Sequence, residues 1–306
     1  MKLLAKNITT RQLIIFYCIY SFSIKFLSLP SLLSKTAGRD AWIAALIGIT
    51  LELVVLFLTI TYISKKQQTT IYQDIRQKNI IFYALAKVVM IVFFAVFAYQ
   101  LVILVNQTYK LLDNNLFENL SPYLFYIPMI LLGVFFCIEP SKAIFRSGEI
   151  FFVLIFLGVA LSVFPVLHKI DPREALPIMQ SGFWPVMKAT LVNIIFFESV
   201  LFLLMFKGEI EIKPNFKKKF MSTALVVNLF FVFFVFLFIS LFGALAPFKD
   251  VAITNLTVHS SYITNSGRLD WVLVTMWLLL ILLRFGITFY CAFKCVRHII
   301  KGVGSA

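Results

Sequence analysis

Four ionisable residues stand where ionisable residues are expensive. Lys25, Glu52, Glu198 and Arg284 each fall inside a long apolar stretch. A charge at the centre of a membrane helix costs about 2.5–3.5 kcal/mol on insertion scales, so it faces a protein interior or water and marks a pathway, a binding site or an interhelical contact. The chemistry open to these groups is ionic: the cations can hold a carboxylate, and the carboxylates can hold an ammonium or pass a proton. Lys25 and Glu198 are the most informative, while Glu52 and Arg284 fit a coupling role or a structural contact equally well. Lys87 and Lys188 lie nearer span ends and read as side chains that reach a headgroup. Hydrolytic and phosphoryl-transfer chemistry has no counterpart, since HExxH, GxSxG and P-loop patterns and clustered histidines are all missing. Cys291 and Cys295 are one helical turn apart, but only His298 lies near them, too few ligands for a metal centre. No catalytic residue, metal or cofactor is expected, and the chain does not read as an enzyme.

The stretches around Lys25 and Glu198 are irregular. The first reads Tyr20-Ser21-Phe22-Ser23-Ile24-Lys25 and ends in Leu29-Pro30. Hydroxyl side chains bond backbone carbonyls, and proline removes an amide donor and disfavours helix in the residue before it. The second follows Ser181-Gly182-Phe183-Trp184-Pro185 and contains Asn193, Phe197, Glu198 and Ser199. Two interrupted helices in corresponding positions point to a midplane site of the inverted-repeat kind. A pocket built from Tyr20, Ser21, Ser23, Lys25, Asn193, Phe197, Glu198 and Ser199 suits a small zwitterion or polar solute.

The elements that must position these residues follow from composition. Of 306 residues, 61% are hydrophobic and 14% charged, and 35 are phenylalanine. A soluble chain carries about 25% charged residues, so this one lacks the polar surface that water demands. Backbone groups must pair internally in lipid, which leaves helices or closed barrels, and the apolar blocks lack the alternation of barrel strands. The sequence predicts about eight transmembrane helices in one domain: Gln12–Leu33, Ala41–Ile63, Ile80–Val105, Tyr123–Ile138, Ile144–Leu167, Val186–Phe206, Phe220–Leu245 and Trp271–Phe293. With the N-terminus inside, about 17 Lys and Arg fall on the cytoplasmic side against about 7 opposite, the bias expected of inner loops. The net charge of +14 is therefore mainly a topology signal, and the Lys217–Lys219 run reads as an inner loop rather than a nucleic-acid contact.

Several short pieces, in order, carry a resemblance. They are Ile8-Thr9-Thr10-Arg11-Gln12, Leu29-Pro30, Ala37-Gly38-Arg39-Asp40-Ala41-Trp42-Ile43, Arg146-x-x-Glu149, Leu176-Pro177 with Gly182 and Pro185, Phe196-Phe197-Glu198, and Arg268-Leu269-Asp270. Together they resemble the spore germination permease family, the B subunit of nutrient germinant receptors, within the amino acid–polyamine–organocation transporter superfamily. The resemblance implies an all-α membrane fold with a LeuT-like inverted-repeat core, its first repeat near residues 8–167 and a partial second near 171–295 that lacks the last two helices. It also implies a small nutrient ligand held between spans one and six, A and C receptor subunits as partners, and residence in the inner spore membrane. Ser23 stands where the pattern suggests glycine, and Lys25 where it suggests a small or apolar residue.

Three functions follow as expectations: a nutrient-sensing receptor subunit, a proton- or cation-coupled amino-acid permease, and an assembly subunit without a ligand. Lys25 and Glu198 carry opposite charges on the two spans the resemblance brings together, and are expected to pair. The alternative is that Lys25 reaches along a crevice while Glu198 caps a broken helix end.

Overall fold

The computed structural model describes residues 8–65, 69–75, 80–115, 121–252, 255–256 and 269–301. Their regular structure is helical, apart from one bridge between Ile8 and Ile210. In chain order the helices are α1 (Thr10–Ala37), α2 (Ala41–Lys65), α3 (Ile71–Ile75), α4 (Ile80–Asn115), α5 (Pro122–Ile138), α6 (Ser141–Val163), α7 (Phe183–Ile194), α8 (Glu198–Met205), α9 (Phe216–Phe242) and α10 (Leu269–Lys301).

Local chemistry sets the helix ends. Thr9 and Gln12 form a reciprocal capping box at the start of α1, the Gln12 N–H donating to Thr9 Oγ1 at 3.3 Å and the Thr9 N–H to Gln12 Oε1 at 3.1 Å. Gly38 ends α1 at φ 56°, a conformation that glycine adopts without steric cost. The chain reverses there, which brings Lys25 on α1 against Glu52 on α2.

Among the described residues, six stretches are long and apolar enough to cross a membrane. The first, Thr10–Lys65, contains both α1 and α2, and α5 is a shorter apolar helix of 17 residues. The expected apolar segments are thus all present, and the chain is an all-α, multi-pass membrane protein. Outward positions such as Leu58, Val102, Leu131 and Phe156 expose large apolar side chains, the surface that lipid requires. α1 lies at the centre, packed against α2, α6, α7, α9 and α10.

One expectation is corrected. α1 does not break near Lys25 or Pro30 but runs unbroken from Thr10 to Ala37 with Pro30 inside it. Membrane helices tolerate a proline when neighbours and hydroxyl side chains satisfy the backbone it disturbs. Hydroxyls do bond the backbone on either side of Pro30: Ser23 donates to the Tyr20 carbonyl at 3.0 Å and Ser34 to that of Ser31 at 2.9 Å. The sixth span is interrupted, by a turn at residues 195–197 between α7 and α8.

The connections gather at two faces. Ile8, Asp74, Ser141, Glu209 and Lys294 meet at what we call the N-terminal face. Arg39, Asp40, Glu174, Ser181 and the Lys35–Asp250 pair lie at the opposite face. The loops assigned to one side by their lysines and arginines therefore do share a face.

Candidate functional site

The buried charges converge on the middle of α1. Lys25 Nζ pairs with Glu52 on α2 and donates to Asn228 Oδ1 on α9 at 3.4 Å. Glu52 Oε1 accepts from Ser199 Oγ on α8 at 3.1 Å, and Asn228 Nδ2 donates to the Tyr17 hydroxyl at 3.1 Å. Lys25, Glu52, Ser199 and Asn228 are all at most 3% exposed. Four helices thus meet through one continuous polar chain, with Ser21 buried beside the Tyr17 hydroxyl.

A second group adjoins it. Arg284 on α10 donates to the Tyr20 carbonyl at 2.6 Å and to Ser23 Oγ at 2.7 Å, and its guanidinium lies 4.2 Å from the Tyr20 ring centroid. The same ring stacks on Phe202 of α8, the centroids 5.0 Å apart. Arg284 thereby solicits a carbonyl that helix geometry alone would give to a backbone amide, and it braces α1 where the break was expected.

The sequence-derived residues divide accordingly. Tyr20, Ser21, Ser23, Lys25 and Ser199 come together with Glu52 and Arg284. Lys25 pairs with Glu52, which the reversal at Gly38 brings opposite it on the antiparallel α2. The side chain of Glu198, and with it the expected pairing with Lys25, lies outside the described residues; the backbone of Glu198 opens α8. Asn193 is wholly buried against Gly48, where an added Cβ would lie 2.1 Å from Nδ2, and neither amide atom has a hydrogen-bond partner among the described residues. Phe197 points elsewhere, into an apolar crevice of about 620 Å³ shared with Val55, Val96, Gln100, Ile195 and Val200. Gln100 Nε2 donates to the Ile195 carbonyl at 3.2 Å, satisfying one acceptor that the turn removes from the helix ladder.

Sequence reasoning missed Tyr17, Gln100, Asn228 and Thr288 of α10, whose hydroxyl donates to that of Tyr20 at 3.5 Å. Asn228 had a readable signal, a lone amide in the apolar run Leu225-Val226-Val227-Asn228-Leu229-Phe230, since polar groups in membrane helices turn inward. Tyr17 had none, because a tyrosine suits lipid interfaces as well as cores.

The short motifs also find each other. Glu149 accepts from Gln12 Nε2 at 3.1 Å and lies 3.7 Å from Arg11. Asp40, wholly buried, accepts the N–H groups of Met179 at 2.7 Å and Ser181 at 2.8 Å, while Ser181 Oγ donates to the Ala37 carbonyl. Arg39 adds a bond to the Leu176 carbonyl at 3.0 Å. The Ala37–Ala41 piece is therefore a clamp on the loop that leads into α7, and the Ile8–Gln12 piece a partner of the α6 start. Arg268 lies outside the described residues.

No curated protein sequence matches the chain. Among family models, that of the spore germination proteins matches residues 7–303, nearly the whole length. With helices that cross a membrane and motifs that meet in pairs, the chain belongs to the spore germination protein family, a family of permease-like membrane proteins.

Proposed function

We propose that the protein is the integral membrane subunit of a spore germinant receptor, which senses a small nutrient and triggers germination together with A and C subunits in the inner spore membrane. The observation that carries this reading is the enclosed chain Ser199–Glu52–Lys25–Asn228, which ties the half-helix α8 to three full spans. An amino acid offers the same pair of charges in one molecule. Its carboxylate competes for Lys25 and its ammonium for Glu52, and each exchange releases Ser199 or Asn228 to bond the ligand instead. Because Ser199 sits in the first turn of α8, occupancy alters how that half-helix is held.

Magnitudes favour such an exchange. Inserted separately, two charges cost about 5–7 kcal/mol. At about 4 Å and an effective dielectric near 20, their attraction returns about 4 kcal/mol. The pair remains open to a competitor that satisfies both charges at once.

The test is binding by purified protein in nanodiscs against a panel of amino acids and sugars. At least one amino acid should raise the melting temperature saturably, and Glu52→Gln should abolish that response. Lys25→Met and Glu52→Gln should each destabilise the protein by leaving one buried charge unpaired. The double variant should recover stability without recovering binding; additive losses would mean that the pair does not matter. A second reading, a proton- or cation-coupled amino-acid permease, is favoured by a lysine–glutamate pair at membrane depth. Gradient-driven amino-acid uptake into liposomes by the protein alone would support the permease over the sensor.

A further inference from the structure

The connector between α8 and α9 is held by five segments of the chain. Lys207, wholly buried, pairs with Asp74 of α3, and its ammonium lies 4.3 Å from the ring centroid of Tyr62 on α2. The hydroxyls of Tyr62 and Thr69 both donate to the same Asp74 carboxylate at 2.5 Å. Burial pushes that carboxyl up, but bonds from Lys207, Thr69 and Tyr62 outweigh it and hold it below the ordinary value. Two residues on, Glu209 accepts from Lys294 of α10 and Ser141 of α6, each at 2.5 Å. Ile8, at the start of α1, pairs with the Glu209 carbonyl at 2.7 Å and the Glu211 N–H at 2.8 Å. Lys294 also donates to the carbonyl of Met205, the last residue of α8.

α8 has eight residues. Its first turn is tied to the buried cluster through Ser199, its last turn to this hub, and the turn at 195–197 separates it from α7. A rod of two turns held at both ends passes displacement from one to the other. A lysine at a membrane face has water within reach, so enclosing it costs desolvation that a solvated loop avoids. Enclosure makes sense where the pair must hold firmly in one state and let go in another.

We propose that residues 207–211 form a latch: the Lys207–Asp74 pair keeps α8 docked, and its release lets α8 swing about the 195–197 turn, carrying a change at the buried cluster to the N-terminal face. The trigger rests on the nutrient-sensing reading; the mechanics do not.

Hydrogen exchange on the full chain in nanodiscs tests both parts. In Lys207→Met, amide exchange across residues 199–205 should rise at least tenfold together with that of 207–211. A rise confined to 207–211 overturns the latch. Should that variant fail to fold, Thr70→Cys with Gly208→Cys in a background without the four native cysteines serves instead. A Cβ at 208 would lie 3.1 Å from Thr70 Cγ2, within reach of a disulfide. Oxidation should slow exchange in both segments and reduction restore it; exchange in α8 that ignores the cross-link overturns the latch. An equimolar mixture of the twenty amino acids should speed exchange across 199–211 in the unmodified protein and leave the oxidised one unchanged. No effect of the mixture, with α8 still opened by Lys207→Met, rejects the nutrient trigger and upholds the mechanics.

Discussion

At the N-terminal face the Lys207–Asp74 pair is enclosed, with 0% and 6% of the two side chains exposed, whereas at the opposite face Lys35–Asp250 leaves 45% and 65% exposed. The opposite face is closed by other means. Asp40 takes two backbone N–H groups from the loop ahead of α7, and Gly38 turns the chain so that Ser181 can reach the Ala37 carbonyl. A carboxylate fixed to backbone amides binds a rigid target, while a lysine–aspartate pair joins two side chains that can part without unravelling a helix. One face is built to stay shut, and the other to be released.

Labelling from the two sides gives the largest contrast, because it is all or none. Single cysteines at residues 217–219, in the first turn of α9, should resist impermeant reagents applied to intact cells, and those between Lys169 and Arg173 should react. External labelling of the former would reverse the faces and overturn the assignment of the N-terminal face to the inner side.

Next in size is the pair of lysines. Lys207→Met leaves Asp74 without its cation in an enclosed site and should cost about 3–5 kcal/mol. Lys35→Met, at an exposed pair, should cost at most about 1 kcal/mol. Thermal unfolding in detergent measures both, and equal losses would erase the distinction between the faces.

Asp40→Asn should fall between them, near 2 kcal/mol, since one of its two backbone donors then meets an amide NH₂ and stays unsatisfied. Its effect should appear as faster exchange at Met179 and Ser181 and should leave 207–211 untouched.

The smallest effect is that of pH. Asp74 is held below the ordinary carboxylate value, so its contribution is fully present above about pH 4 and is lost only as pH falls through the lower folded value. Asp250 moves the same way, through its hydrogen bond and attraction to Lys35, but its exposure makes the consequence weaker. Exchange at 207–211 should therefore be flat from pH 7 to about pH 5, once corrected for intrinsic rates, and rise below about pH 4. Asp74→Asn should remove that rise.

Much of the architecture was legible in the sequence because lipid leaves few alternatives. Long apolar runs must be helices, loop lysines sort the connections into two sets, and a buried Lys25, Glu52 or Arg284 must face inward. The interruption of the sixth span was also legible in kind, though its place, 195–197, depends on how Gln100 of α4 meets the Ile195 carbonyl. Which charges meet was not legible. Lys25 meets Glu52 because a single glycine turn sets α2 antiparallel to α1 in one register, and nothing local to Lys25 encodes that register. Serines and Pro30 suggested a broken α1, yet an arginine 264 residues away holds the Tyr20 carbonyl and the helix runs through. Composition and spacing act on each helix separately and determine what lipid will accept. Pairing, bracing and the enclosure of Lys207 arise only when helices distant in the chain are packed together, and those the tertiary structure alone decided.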